Sequence, residues 1–523
     1  MSAHYRIALP FLLACAPAQA AIFLVDTTDD SGAVALQVCD ADPSNANCSL
    51  RGALAKADST AGAHTITFNV PISDAGYIAA TSHWRFAPAT ELRYSTRDLT
   101  VDGYSQPGAT ANTNAPADGG SNAVLKIEIR GPGISAQSTA LRALDSGSSL
   151  TLRGLAVNRF QVNVALDAVG AHRIEGCFIG TDITGTIAAE TSNGSGTGIR
   201  SSGPAIIGGS DAASRNVISG NPYIGISNNN GAALTVKGNL IGTNAAGTAA
   251  LPGQDYGLYL TVIGNGGLVG GAAPADRNVI AGNTFSAIYA FGQVAGANPM
   301  PLRVLGNFIG TGADGVLPLG NGTNPQSPSQ PQPTIVSFAG AACGIVIGGD
   351  ASGEGNLIAH GGAAGVLVSS CLGARIAGNR FTLNRGIGID LSNSSNADGA
   401  TANDAGDADG NAPFQGGNKL QNYPELISLT CAAGTCALTY RVDTDVANAT
   451  YPLRIDVARG RQGQAETPVA FDTYTSIDAG LPKTVTFPIE ALAGGGSLVL
   501  GATDAAGNTS EFGGEHLFST GFD

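Results

Sequence analysis

The sequence predicts an all-β protein, in which a right-handed parallel β-helix (a solenoid) is followed by a C-terminal antiparallel β-sandwich of the immunoglobulin-like kind. Three observations support this prediction. Short apolar motifs recur at a regular spacing, each motif is bounded by glycine or asparagine, and the segment after residue 420 carries alternating strands separated by turn residues. Regular repeats indicate stacked coils, whereas alternation between turns indicates an antiparallel sandwich.

The recurring motifs favour strands, because each is a short run of Val, Ile, Leu or Phe that is too short for a helix. Glycine and asparagine at the ends of each run tolerate the left-handed backbone of sharp corners. The recurring segments are Arg215–Asn221, Arg277–Asn283 and Gly355–Gly361; Ile206–Gly209, Leu268–Gly271 and Val346–Gly349; and Gly176–Thr181, Gly238–Thr243 and Gly306–Thr311.

The spacing of the motifs predicts the length of a coil. The motif that begins at Arg215 returns 62 residues later, and the motif that begins at Gly176 does the same. Because one period holds three similar motifs, we expect coils of about 21 residues, with about eleven or twelve of them between residues 150 and 395. Val217 and Val279 should share one internal column about three coils apart, since equivalent residues of stacked coils lie above one another.

The composition limits the choice of partner. The 523 residues include 74 glycines, only 13% charged residues and a formal net charge of −14. An acidic chain without a basic patch does not neutralise phosphates, which argues against nucleic acid and against an anionic membrane surface. The apolar share of 43% follows a pattern, so disorder is not expected.

The N-terminus predicts export. Residues 1–20 resemble a secretory signal peptide, with a charge at Arg6, an apolar core at Ile7–Ala14 and small residues up to a cleavage site at Ala20. The alternative is a bacterial lipoprotein signal at Leu12–Cys15. No other stretch is apolar for long enough to cross a membrane, so we expect a secreted protein or one on the outer surface of the cell.

Export permits disulfide bonds. Cleavage after residue 20 leaves seven of the eight cysteines, so at least one stays unpaired. Cys177 lies inside a strand motif and is expected to be a free thiol in the core. The candidate pairs are Cys39–Cys48 and Cys431–Cys436, which would close small loops, and Cys343–Cys371, which requires separate coils to meet.

Residues 48–54 read Cys-Ser-Leu-Arg-Gly-Ala-Leu and resemble the N-terminal CSLREA signature of secreted bacterial β-helix repeat proteins. The segment predicts a short helix that covers the first coil, because apolar residues recur at helical spacing at Leu50, Ala53, Leu54 and Ala57. Ser49 is the expected N-cap. The chain departs from the signature at Gly52, where Glu is usual, so one contact of a capping box is lost.

The resemblance extends along the mature chain. Residues 102–108, 398–411 and 420–424 resemble the early coils and the end of the solenoid in the same family, and Thr503–Asn508 resembles the last hairpin of bacterial immunoglobulin-like domains.

The expected divisions of the chain are a signal peptide (1–20), an N-terminal cap (21–60), a β-helix (61–420), a sandwich (421–515) and a tail (516–523). A Pro-, Gln- and Ser-rich insert, Asn321–Thr334, should leave the solenoid as a loop.

An acidic stretch near the end of the solenoid is the candidate metal site. Its carboxylates are closely spaced, and oxygen ligands at such spacing suit Ca²⁺. A bound Ca²⁺ would lock the junction between solenoid and sandwich, whereas the simpler interpretation is a solvated acidic turn. The residues are Asp390, Asp398, Asp404, Asp407 and Asp409.

Equivalent polar residues in successive repeats are the candidate binding surface. They are Thr181, Thr243 and Thr311, with Asp182 and Asn244 following the first two. Such a ladder could form hydrogen bonds with an extracellular polysaccharide or a cell-surface glycan. It is equally what sharp corners require for their own hydrogen bonds.

The signatures of β-helix enzymes are incomplete, so no catalytic residue is assigned. Gly180–Asp182, Ala359–Gly361 and Arg375–Ala377 each match only part of the motifs of polygalacturonase-type hydrolases, and the pectate lyase signature Trp-x-Asp-His is absent. The other candidates for a catalytic groove are expected to be solvated corner residues: Arg215, Arg277, His172 and His360.

The sequence therefore favours a monomeric, non-enzymatic, adhesin-like protein that binds glycans and has no cofactor besides structural Ca²⁺. The first alternative is a polysaccharide lyase or glycoside hydrolase of the β-helix type. The second is a structural spacer. A pair of carboxylates in a groove beside arginine or lysine would favour the enzyme, and a flat surface without such a pair would favour the binding protein.

Overall fold

A computed structural model confirms the fold class, since three long parallel sheets form a β-helix that precedes two small antiparallel sheets. Asp409 and nearly all of the expected signal peptide lie outside the described residues. The structure describes residues 20–94, 98–115, 119–134, 138–144, 147, 149–167, 170–190, 194–229, 233–261, 265–291, 300–323, 330–338, 343–393, 397–408 and 416–518.

Coil after coil adds one strand to each of the three sheets. The first sheet contains Ala21–Val25, His64–Phe68, Leu99–Asp102, Leu150–Arg153, His172–Glu175, Ala205–Gly208, Leu234–Lys237, Asn265–Gly270, Met300–Leu305, Ile345–Gly348 and Arg375–Ala377. The second contains Tyr77–Ile78, His83–Phe86, Ile127–Arg130, Leu155–Asn158, Phe178–Ile179, Val217–Ile218, Leu240–Ile241, Val279–Ile280, Phe308–Ile309, Leu357–Ala359 and Arg380–Thr382. The third contains Leu92–Tyr94, Thr139–Ala143, Val162–Leu166, Gly196–Ser201, Tyr223–Asn228, Tyr256–Leu260, Ile288–Phe291, Ile335–Phe338, Val366–Ser369 and Ile389–Ser392.

Short helices and the sandwich strands make up the other described elements. The α-helix is Leu50–Ser59, and the 3₁₀ turns are Val34–Leu36, Gly103–Ser105, Ala212–Ser214, Pro274–Asp276, Ala405–Asp407, Gly417–Leu420 and Ile489–Leu492. One sandwich sheet contains Glu425–Ala432, Thr435–Arg441 and Lys483–Pro488, and the other contains Leu453–Arg461, Gln464–Tyr474, Gly496–Thr503 and Gly513–Phe518.

Aliphatic columns fill the solenoid, because in-register strands place equivalent residues above one another. Ile218, Ile241 and Ile280 form one such column in the second sheet and are fully buried. Val217 and Val279 do share a column, as predicted, but it faces outward and they lie two coils apart. They are buried because the loops that follow the strands stack over this face of the sheet.

One 62-residue period contains two coils, and the predicted unit of about 21 residues is wrong. Successive strands of the first sheet begin at Ala205, Leu234 and Asn265, and eight such strands lie between residues 150 and 377. The prediction failed because the similar motifs do not occupy equivalent places. Ile206–Gly209 belongs to the first sheet, whereas the other two kinds of motif lie in the second sheet of alternate coils.

Buried asparagines join the coils at the corner between the first and second sheets. Each side-chain amide donates to the side-chain oxygen of the next asparagine at 2.8–3.0 Å and to a backbone carbonyl of the preceding coil. The ladder consists of Asn216, Asn239, Asn278, Asn307, Asn356 and Asn379. A second ladder joins Asn163, Asn221, Gln254, Asn283 and Asn321.

The predicted cap helix is present as Leu50–Ser59, and its four predicted apolar residues are buried. Ser49 caps it, since its hydroxyl accepts a hydrogen bond from the Gly52 amide at 2.9 Å. A side chain at Gly52 would place its Cβ 1.9 Å from the carbonyl oxygen of Leu36. Glycine at position 52 therefore accommodates the turn Val34–Leu36, which packs against the helix.

All three candidate disulfides form, and Cys177 is a buried free thiol. Burial raises the pKa of the Cys177 thiol to about 12. A thiol with this pKa stays protonated and behaves as a small apolar side chain in the core.

The sandwich closes the last coil of the solenoid. The amide of Ile376 donates to the Thr509 hydroxyl at 2.9 Å, and the amide of Leu391 donates to the Glu511 carboxylate at 2.9 Å. Gln464 accepts hydrogen bonds from the backbone and side-chain amides of Asn384, which lies in the last coil. These contacts satisfy backbone groups that an open edge strand would leave unpaired.

Asn307→Ala should lower the free energy of unfolding by on the order of 3 kcal/mol, because each buried polar group left without a partner costs about 1–3 kcal/mol. The side chain accepts from Asn278 and donates to Asn356 and Val269, so several partners are lost at once. Guanidinium denaturation followed by circular dichroism measures the change. The exposed Asn229→Ala is the control, and equal stability of the two variants would contradict a supporting role for the ladder.

Candidate binding site on the third sheet

Seven aromatic side chains form a continuous patch on the third sheet and on the corner that leads into it, which we call the aromatic surface. Neighbouring ring centroids lie 5.1–6.4 Å apart. Six of the seven residues are half-buried and Phe291 is 40% exposed. The members are Tyr223, Tyr256, Tyr259, Phe285, Tyr289, Phe291 and Phe338.

Strand register produces the stacking. Tyr259 and Tyr289 occupy the same position in adjacent strands, and their rings lie 5.1 Å apart with planes 9° from parallel. Phe291 and Phe338 are paired in the same way, at 5.4 Å and 10°. Adjacent strands lie about 4.8 Å apart, so aromatic side chains repeated at one position must stack. A contiguous, partly exposed apolar patch of this kind is a candidate interaction site.

Three phenol groups of the aromatic surface have raised pKa values and stay neutral. Burial, reinforced by the neighbouring tyrosines, raises the pKa of Tyr223, Tyr256 and Tyr289 above the ordinary value. Asp255 lies at the edge of the surface, where burial raises the pKa of its carboxyl although Thr284 donates a hydrogen bond to it. The surface therefore combines apolar rings with neutral hydroxyl groups.

The same register position carries arginine towards the N-terminus, in what we call the arginine column: Arg93, Arg142 and Arg200. Asp167 lies between two of these side chains, accepting from Arg142 Nε at 2.7 Å and from Arg200 Nη2 at 2.8 Å. Glu91 accepts from Arg93 Nε at 2.6 Å and from Arg142 Nη1 at 3.5 Å. One face of the solenoid thus changes from charged to aromatic along its axis.

The predicted threonine ladder lies inside the fold. Thr181, Thr243 and Thr311 are 0%, 0% and 1% exposed. The hydroxyls of Thr181 and Thr243 donate to the backbone carbonyls of Asp182 and Asn244, at 3.1 and 3.2 Å. These threonines therefore do not present their hydroxyl groups to a polymer on the surface.

Asp182 and Asn244 are half-buried and hold their own loops together. Asp182 Oδ1 accepts from the Thr186 amide at 3.1 Å, and Asn244 Oδ1 accepts from the Thr248 amide at 2.9 Å. The geometry matches the alternative interpretation of the repeat, in which these residue types recur because each corner needs them.

The predicted calcium ligands fall into two groups. Asp390 and Asp398 are neighbours at the end of the third sheet, and burial together with Asp398 raises the pKa of Asp390 to about 6. Asp404 and Asp407 instead lie against the sandwich, where Asp407 accepts from Gln421 and Asn422. In the described part of the chain, which excludes Asp409, no three His, Cys, Asp or Glu side chains are grouped to hold a metal ion. Calcium binding remains a prediction.

Two of the residues expected to be solvated, Arg215 and His172, are buried, and Arg277 and His360 are half-buried. Arg215 is only 7% exposed and donates to backbone carbonyls of two neighbouring loops, while the Arg277 guanidinium lies 4.0 Å from the centre of the Phe308 ring. His172 is fully buried, and burial lowers the pKa of the half-buried His360. The expectation was wrong for the arginines because stacked loops cover this corner, which the sequence alone does not reveal.

A cleft of about 470 Å³ lies between the last coil and the sandwich. Its two carboxylates are held by arginine, since Arg375 Nη2 lies 2.7 Å from Asp350 and Arg454 Nη2 lies 2.7 Å from Asp456. Arg454 also packs on the Phe471 ring at 4.7 Å. The cleft therefore has the pair of carboxylates beside arginine that would favour an enzyme, but Arg454 lies against both acids, 3.5 Å from Asp350 and 2.7 Å from Asp456. A glycoside hydrolase requires one protonated carboxyl and one free carboxylate across the scissile bond, whereas these two acids are both engaged in ion pairs.

The aromatic surface was not predicted from the sequence, although the sequence contains a signal for it. The whole chain has 12 Tyr and 17 Phe, yet five aromatic residues fall between positions 256 and 291. Aligning these residues by coil would have placed Tyr259 and Tyr289 at one position. The arginine column gives no comparable signal, because its members come from coils of unequal length.

Glu511 should make the protein less stable as the pH rises from about 4.5 to above 7. Burial, with Asp390 nearby, raises the pKa of Glu511 to about 7 from 4.5, although the amides of Leu391 and Thr401 donate to it. A carboxyl group with a raised folded-state pKa stabilises the fold fully below its unfolded pKa, and this contribution is lost as the pH passes the folded pKa. The loss is on the order of 3 kcal/mol.

Unfolding midpoints measured from pH 4 to pH 8 test this dependence. Glu511→Gln should flatten the profile, because the amide keeps an acceptor for Leu391 but does not titrate. The exposed Glu490→Gln is the matched control and should retain the wild-type profile. An unchanged slope in Glu511→Gln would show that this carboxyl is not the titrating group.

In the described part of the chain, no helix combines the length and the apolar character needed to cross a bilayer. Comparison with known proteins finds no matching family model and no matching curated protein.

Proposed function

We propose that the protein is an extracellular, non-enzymatic, adhesin-like binding module whose ligand is a polysaccharide or a cell-surface glycan. A parallel β-helix fits a surface or polysaccharide-related protein, but a fold alone does not define a function. The aromatic surface is the observation that carries the proposal, because it is a patterned apolar patch with polar hydroxyl tips on the outside of a rigid solenoid.

Sugars suit such a surface. A pyranose ring has apolar C–H faces surrounded by hydroxyl groups, which match aromatic rings that carry neutral phenols. The coils repeat at about 4.8 Å along the solenoid axis, and a polysaccharide is also periodic along its length. A periodic ligand can therefore make similar contacts on several coils, and linked weak contacts add up to a stable complex.

Three disulfides support an oxidising, extracellular compartment. The signal-like segment 1–20 and the CSLREA-like segment 48–54 belong to the same proposal, because both are features of exported bacterial β-helix proteins. We assign no catalytic residue, since the two acids of the large cleft are paired with arginine.

The purified protein should be retained by at least one polysaccharide in a panel of alginate, hyaluronan, polygalacturonate, xylan and β-glucan, without shortening the polymer. Tyr259→Ala and Tyr289→Ala should each weaken retention about tenfold, because each removes a stacked ring from the surface. Affinity electrophoresis measures retention, and size-exclusion chromatography of the same samples measures polymer length.

Phe471→Ala is the control, since Phe471 is 64% exposed but lies on the sandwich. Shortening of any polymer would replace the binding proposal with the lyase or hydrolase alternative. Neither retention nor shortening would leave the structural spacer as the better account. Repeating the panel with a chelator tests the predicted role of Ca²⁺, because a structural ion at the junction would be needed for stability rather than for retention itself.

A further inference from the structure

We propose that the third-sheet face binds an anionic polysaccharide that runs parallel to the solenoid axis, with its acidic groups on the arginine column and its sugar rings on the aromatic surface. The inference rests on the proposed function and adds the charge and the direction of the ligand. It starts from the register of the third sheet, which places both surfaces on one line.

A single register position runs through all ten strands of the third sheet, and its first seven members form the proposed line. Adjacent members are paired directly, and each step along the axis is about 4.8 Å. From the N-terminal side the position holds Arg93, Arg142, Ala165, Arg200, Ser227, Tyr259 and Tyr289. The distance from Arg142 to Tyr289 is therefore about 24 Å, which is enough for several sugar units of an extended chain.

Small residues separate the long side chains of this line. Ala165 lies between Arg142 and Arg200, and Ser227 lies between Arg200 and Tyr259. The guanidinium groups and the phenol rings therefore extend further from the sheet than the residues between them. A linear ligand can follow the line and contact arginine at one end and tyrosine at the other.

The arginine column can accept an additional anion. Within the part of the chain that the structure describes, its three guanidinium groups face two carboxylates, Glu91 and Asp167, so these five side chains together carry one positive charge in a protein whose net charge is −14. The side chains of Arg142 and Arg200 remain 33% and 28% exposed. Among the described residues, the hydrogen bonds of Arg142 and of Arg200 each use Nε and one terminal nitrogen. Because a guanidinium has five N–H donors, these hydrogen bonds do not use all of them.

Asp167 shows that the spacing of the arginines suits an acidic group. Its carboxylate is held by Arg142 at 2.7 Å and by Arg200 at 3.1 and 2.8 Å, which is the charge-assisted geometry that arginine forms with carboxylates. A uronate carboxylate or a sulfate of the ligand would bind the remaining donors in the same way. Charge complementarity therefore favours an anionic glycan over a neutral one at this face.

Salt dependence alone does not test this proposal. Added salt weakens contacts between arginine and an anion, but it also screens the repulsion between a polyanion and the net charge of −14. Because the two effects oppose each other, the test must change the charge of the polymer and the charge of the site separately.

The probes are alginate, hyaluronan and polygalacturonate, together with the same polymers after reduction of their carboxyl groups to primary alcohols. The intact form of at least one polymer should bind about tenfold or more tightly than its reduced form. Arg142→Gln and Arg200→Gln should each weaken binding of that intact polymer by about tenfold and leave binding of the reduced form unchanged. Tyr289→Ala should weaken binding of both forms, because the rings contact the sugars.

Arg173→Gln is the matched control, since this arginine has a 44% exposed side chain paired with Glu175 and lies on the first sheet. Equal affinity for intact and reduced polymers, or unchanged affinity in both arginine variants, would overturn the proposed charge of the ligand while leaving glycan binding intact. Failure of both polymer forms to bind would instead remove the proposed function. A dimer in analytical ultracentrifugation that Tyr289→Ala dissociates would identify a second copy of the chain as the occupant and overturn the proposal.

Discussion

In-register stacking of coils is the constraint on which the rest of the structure depends. A polar group buried at one corner must find its partner in the next coil, because an unpaired buried amide costs about 1–3 kcal/mol. Asparagine meets this requirement, since its short side chain carries both a donor and an acceptor. Each member between the two ends, Asn216 and Asn379, therefore donates to one neighbouring asparagine and accepts from the other, which fixes the register along the solenoid.

The same constraint explains the ends of the solenoid. A ladder and a sheet both stop with unpaired groups at their last coil, and an exposed edge would pair with another chain. Helix Leu50–Ser59 packs beside the first strands, and at the other end sandwich residues such as Gln464, Thr509 and Glu511 accept hydrogen bonds from the final coil. The cap helix and the sandwich therefore cover the two ends of the solenoid. The cost is that Glu511 must be buried near Asp390, and the pKa of both acids is raised.

Local patterns in the sequence were sufficient to predict the cap helix and the strands, but not how the strands are arranged in coils. Ser49 and the apolar residues after it define the cap helix, and short apolar runs define the strands, because these features depend on neighbours in sequence. The predicted coil length was wrong because motifs of similar composition occupy two different sheets. The site was missed for a related reason, since the buried Thr181 and the half-buried Tyr289 both recur in the repeat. Only the register reveals which repeated side chain faces solvent.

Register also determines what a solenoid of this kind can bind. The outward column of the second sheet lies under stacked loops, whereas Tyr259, Tyr289 and the arginine column stand on a face where the core does not constrain residue choice. Their spacing is set by the sheet and not by flexible loops, so the rings are ordered before a ligand arrives. Binding then loses little side-chain entropy at the surface. A row of preorganised contacts with a fixed spacing favours a ligand whose units also repeat at a regular spacing. The geometry is therefore better matched to an extended polymer than to a compact molecule.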